Sequence, residues 1–91
     1  MTRGQIIAQQ HADSAVVKFV EEVASTGHIH EDIFDKTRDT TLECAKQNIE
    51  ASSLSEREKK AAKECVHKAV HDIAQMFKDG MVKSGRIILK Q

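Results

Sequence analysis

The feature that most constrains the fold is a set of apolar residues that recurs every three or four positions near the end of the chain. It comprises Ala62, Cys65, Val66, Ala69, Val70, Ile73, Phe77 and Met81. This spacing places the side chains on one face of an α-helix, and charged residues fill the opposite face. Two overlapping capping boxes precede it, Ser53 with Glu56 and Ser55 with Glu58. The pattern predicts a helix over residues 55–79, with Gly80 or Gly85 as its stop.

A second predicted helix covers residues 5–24. Thr2 and Gln5 have the spacing of a capping box, in which each side chain bonds the other residue's backbone amide. Apolar residues again recur at helical spacing, from Ala8 to Val23. Gly27 follows the last turn, where we expect it to adopt the left-handed conformation that often ends a helix.

The helix predicted over residues 31–51 is the least regular of the three. It begins with Glu31 and Asp32, whose charges suit the positive end of the helix dipole. Its middle, Thr37–Thr41, has poor helix propensity and no large apolar residue. The alternatives are one continuous helix and a break between Lys36 and Asp39, and we favour the continuous helix.

The composition limits the class of protein. Ninety-one residues make one domain, and the absence of proline leaves the helices without hard breaks. We therefore expect an all-α, antiparallel three-helix bundle over residues 1–91, dimerising through its Ala-rich helix faces. The 14 basic and 14 acidic residues cancel, which removes the usual charge argument for nucleic acid or an anionic membrane. Without an export signal or an apolar span, the expected location is the cytoplasm.

Histidine pairs are the nearest approach to a metal site. His67 and His71 lie four residues apart and project from one helix face, but Lys63 and Lys78 flank them and the helix supplies no third ligand. His28 and His30 precede the acidic start of the second helix, where a solvated loop is the simpler interpretation. We expect no metal, no cofactor and no catalytic residue, because no glycine loop or nucleophile elbow is present either.

The two cysteines, Cys44 and Cys65, are expected to be reduced thiols. If the second and third helices form a hairpin that turns near residues 51–53, these two positions come within one helical turn of each other. We therefore predict that both thiols are buried and neighbouring, as small core residues commonly are.

The functional prediction rests on residues 81–91, which combine adjacent apolar residues with basic ones. The predicted partner-binding residues are Met81, Lys83, Arg86, Ile87, Ile88 and Leu89. Three consecutive large apolar side chains cannot all face one core, in a helix or in a strand. We expect a small non-enzymatic module that binds another protein, and a homodimer. The alternative is a nucleic-acid-binding regulator that uses the third helix and the basic tail.

Overall fold

The computed structural model describes residues 2–89, and these form three helices that pack against one another. In chain order the elements are α1 (Arg3–Ala24), β1 (Ile29–His30), α2 (Glu31–Glu50), α3 (Glu56–Lys83) and β2 (Ile87–Ile88). The expected all-α bundle is confirmed in its helices and their packing. The two short strands were not predicted. None of the helices among the described residues is long and apolar enough to cross a membrane.

Capping boxes start two of the helices. The Thr2 hydroxyl accepts from the Gln5 amide at the start of α1, and the Gln5 side chain accepts from the Thr2 amide. Ser55 and Glu58 form the same reciprocal pair at the start of α3. These bonds satisfy amides that have no partner within the helix, so each helix begins at a defined residue.

The middle of α2 is helical throughout, although its threonines disfavour a helix. Each of two threonine hydroxyls donates to a carbonyl one turn back, Thr37 to Ile33 at 2.8 Å and Thr41 to Thr37 at 2.9 Å. Thr41 is buried, and this bond satisfies its hydroxyl. The helix ends at Glu50 without a break in this segment.

The ends of α1 and α3 differ from the predictions. Helix α3 continues through Gly80 to Lys83, and Gly85 ends it with a φ of 74°. The amide of Gly85 donates to the carbonyl of Val82, and that of Arg86 donates to Met81, which is a Schellman motif. No other glycine in residues 2–89 has a positive φ, so the prediction that Gly27 adopts the left-handed conformation is wrong. Instead, the side chains of the residues after α1, Ser25 and Thr26, bond its last carbonyls.

Two clusters of buried side chains form the core. The alanine cluster contains Ala8, Ala12, Ala15, Leu42, Ala45, Ile49, Ala62, Val66 and Val70. The phenylalanine cluster contains Phe19, Val23, Ile29, Phe34, Ala74, Met81 and Ile87. Five alanines, from all three helices, therefore lie within the chain's own core.

The strands β1 and β2 join the phenylalanine cluster to the end of the described chain. They are parallel, with Ile29 opposite Ile87 and His30 opposite Ile88. Because side chains alternate across a strand, Ile29 and Ile87 point into the cluster, and their neighbours are exposed. The segment after α3 is thereby held against the connection between α1 and α2.

Candidate protein-binding surface

The predicted tail divides between core and surface. Met81 and Ile87 are buried in the phenylalanine cluster, so little of either side chain is exposed. Ile88 and Leu89 are 46% and 51% exposed. The strand pairing explains this division, because it fixes Ile87 inward and leaves the next two residues without a core position.

Arg86 is held by the backbone of the α1–β1 connection. Its guanidinium donates to the carbonyl of Thr26 at 2.8 Å and to that of Gly27 at 3.3 Å. Its own carbonyl accepts from the Ile29 amide at 2.9 Å. Arg86 therefore has a structural role, because its guanidinium already has two carbonyl acceptors, and its predicted partner-binding role stays a prediction.

An open apolar groove lies along the C-terminal half of α3. It has a volume of about 330 Å³, and its lining residues are Ile73, Met76, Phe77, Gly80, Met81, Ser84 and Arg86. All of them belong to α3 or to the segment that follows it, so this face of the helix lacks a covering element among residues 2–89. We call it the α3 groove. Arg86 connects it along the chain to the exposed side chains of Ile88 and Leu89.

Met76 is the most exposed large apolar residue of the groove, at 69%. It lies outside the predicted apolar set, but three residues from Ile73 and four from Gly80. At 100° per residue it is about 60° and about 40° from those positions around the helix axis. An unusually wide apolar arc near the end of α3 was the signal that could have identified it.

The basic character of this region is weaker than the sequence implies. The Lys78 ammonium lies 3.1 Å from Asp35 and 3.7 Å from Glu31, and 5.9 Å from the Phe34 ring centroid. Arg86 is engaged as described above. Lys83 is exposed, and it makes no ion pair with any residue from 2 to 89.

The histidines lie at the surface. The rings of His67 and His71 stack with centroids 5.8 Å apart and planes 7° from parallel. His28 and His30 are exposed, and His30 precedes α2 without a capping bond from its side chain. Within residues 2–89, no group of three or more His, Cys, Asp or Glu side chains has the geometry to hold a metal ion.

The two cysteines occupy separate grooves, so the predicted pair is not formed. Cys44 lies between α1 and α2, where its sulfur accepts from the Lys18 ammonium at 3.6 Å. Cys65 lines a groove between the N-terminal halves of α1 and α3, beside Ala8 and Gln9. Both thiols are free and half-buried rather than buried. The prediction considered only the α2–α3 hairpin, whereas each cysteine faces α1.

Two carboxyl groups with lowered pKa values serve the fold. Hydrogen bonds from Ser55, through its backbone and then its side chain, lower the pKa of Glu58, and Arg3 adds a favourable charge. The Lys63 ammonium lowers the pKa of Glu50, first by a hydrogen bond and then by its charge. Both carboxylates stabilise helix ends, at a helix start and at the α2–α3 connection, and neither lines the α3 groove.

Comparison of the chain with protein-family models, with curated proteins and with solved structures finds no match.

Proposed function

We propose that this chain is a small non-enzymatic module that binds another protein through the α3 groove and the exposed tail residues Ile88 and Leu89. The observation that carries the proposal is the groove itself, an uncovered apolar face bordered by Met76. Soluble domains seldom leave large apolar side chains clustered on one open face, and such faces commonly mark sites of protein interaction. Helical grooves of this kind accept an apolar anchor from a partner.

The arrangement that we propose for the bundle is up-down-up, with α2 antiparallel to α1 and α3. Two contacts between charged residues support the antiparallel packing of α2 with α3. Lys63, in the second turn of α3, bonds Glu50 at the end of α2, whereas Lys78, near the end of α3, lies beside Asp35 at the start of α2. Short connections between consecutive helices also favour antiparallel neighbours.

The nucleic-acid alternative has less support than the sequence suggested. Of the basic residues near the tail, Lys78 is paired with two carboxylates and Arg86 with two carbonyls. Few cations thus remain to neutralise phosphates, and the electrostatic part of nucleic-acid affinity grows with their number.

The cytoplasm remains the location that we propose, because two free thiols on separate grooves suit a reducing compartment.

Affinity capture with the full chain tests the binding function. The immobilised protein would be exposed to lysate of its native host beside two variants, Met76→Glu and Leu89→Glu. We expect each variant to retain at least tenfold less of a specific partner, because a buried carboxylate opposes binding by about 1.4 kcal/mol or more. Val17→Glu is the matched control, since Val17 is an exposed apolar residue of α1 outside this surface. Equal capture by all four proteins would refute the proposed surface.

A further inference from the structure

Gly80 is an unexplained glycine inside a helix. Glycine in a helix interior costs about 0.5–1 kcal/mol relative to alanine, so an interior glycine needs a reason. Nothing lies within 4 Å of the position that its Cβ would occupy, and its φ is not positive. The chain's own packing therefore does not require a glycine here. Gly80 is exposed and lines the α3 groove, where a missing side chain permits the close approach of another backbone.

From the open position of Gly80 in the α3 groove, and from the shapes and charges of the residues around it, we propose that the partner in the groove is a second copy of this chain. The α3 helices of the two copies would cross antiparallel at Gly80, around a twofold axis. This inference deepens the proposed function, on which it rests, by naming the partner. Two glycine positions in contact let the helix axes approach to the short end of the usual 8–10 Å range.

The shapes of the groove residues suit this pairing. In an antiparallel pair centred on Gly80, the residue that lies n positions after it in one copy faces the residue n positions before it in the other. Met76 of one copy therefore faces Ser84 of its partner, which places a large protruding side chain over a small one. Met76 and Ser84 each lie about 40° from Gly80 around the helix axis, so both belong to the contact face.

The charges beside the groove are complementary under the same symmetry. Asp79 and Lys83 lie on one flank of Gly80, about 100° and 60° from it. Asp79 of one copy lies opposite Met81 of its partner. Lys83 of that partner is two residues further along, a distance of about 3 Å on the helix axis. Both residues are exposed, and Lys83 makes no ion pair with any residue from 2 to 89. The twofold axis would form this pair twice.

Sedimentation equilibrium of the full chain over a concentration series tests the proposal. We expect the wild-type mass to rise from that of a monomer to that of a dimer. Gly80→Leu should raise the dissociation constant at least tenfold, about 1.4 kcal/mol, without loss of helix content by circular dichroism. Gly27→Leu is the matched control, because its Cβ also meets nothing within 4 Å, and it should leave the constant unchanged.

A charge exchange provides a second test that does not depend on the glycine. Asp79→Lys should weaken the dimer at low salt, and the double variant Asp79→Lys with Lys83→Asp should restore it. A wild-type chain that stays monomeric, a dimer insensitive to Gly80→Leu, or a double variant as weak as the single one would overturn the second-copy proposal.

The capture experiment then separates the two proposals. If the chain is monomeric but Met76→Glu still abolishes capture of a different protein, the groove has another occupant and the proposed function stands. If capture is also unaffected, both proposals fail.

Discussion

The contact between Phe19 and Phe34 allows a quantitative test of the phenylalanine cluster. Both rings are fully buried, their centroids lie 5.5 Å apart, and their planes meet at 88°, an edge-to-face arrangement. The perturbation that we propose is a double-mutant cycle with Phe19→Leu, Phe34→Leu and the combined variant. Leucine keeps an apolar side chain in each position, so it removes the ring contact without leaving the cavity that alanine would leave.

The expected magnitudes make the cycle measurable. Phenylalanine to alanine in a core costs about 3–5 kcal/mol, a large part of the roughly 5–14 kcal/mol available to a 91-residue chain. Each leucine variant should cost roughly 1–2 kcal/mol and stay folded. Edge-to-face pairs contribute about 0.5–1.5 kcal/mol beyond their buried area, which is the coupling that we expect. The contact between the Lys78 ammonium and the Phe34 ring is lost in both variants that lack Phe34, so its contribution cancels in the coupling free energy.

Urea unfolding followed by circular dichroism would give the four free energies of unfolding. Phe34→Leu combined with Val66→Ala is the control cycle, because Val66 belongs to the alanine cluster. That cycle should be additive within about 0.3–0.5 kcal/mol. If the Phe19–Phe34 cycle is equally additive, the two rings do not interact as described and our account of this cluster is wrong.

Two further predictions concern the ends of α3. Arg86→Ala should lower the free energy of unfolding by about 1–2 kcal/mol, since it removes charged hydrogen bonds to two carbonyls. It should also speed hydrogen exchange at the Ile29 amide. Unchanged exchange would contradict the role of Arg86 in holding this segment. The pKa of Glu58 lies below its ordinary value of 4.5 in the folded chain, so its stabilising effect is complete above that pH and is lost as the pH falls through the lowered value. The difference in unfolding free energy between wild type and Glu58→Gln should therefore shrink on acidification below pH 4.5, whereas a constant difference in urea titrations would contradict it.

Local signals in the sequence were sufficient to predict the three helices and the capped starts of two of them. The capping boxes at Thr2 and Ser55 depend on side chains three residues apart, so they can be recognised without any tertiary information. The apolar spacing of α3 also predicted which residues face the core, Val66 and Val70 among them. Helix starts and buried faces are properties of short segments, and the structure retains them.

Features that depend on distant residues could not be predicted in this way. The pairing of Ile29 with Ile87 joins two strands of two residues each, which are too short to produce an alternating pattern in the sequence. The bonds from Arg86 to the α1–β1 connection likewise join residues about 60 positions apart. The α3 groove escaped detection for a related reason, because exposure of Met76 depends on where α1 and α2 leave α3 uncovered.

The division of the core into two clusters has a consequence for folding during synthesis. Every member of the alanine cluster has been made once residue 70 is added, whereas the phenylalanine cluster is incomplete until residue 87. Chains fold from the N-terminus as they emerge from the ribosome. A nascent chain that stalls between residues 70 and 87 would contain Phe19 and Phe34 but not Ile87, which covers them. If the chain stalls before residue 81, Met81 is missing as well. Synonymous codons that slow translation in this interval should therefore prolong the time for which Phe19 and Phe34 are uncovered, and so favour aggregation.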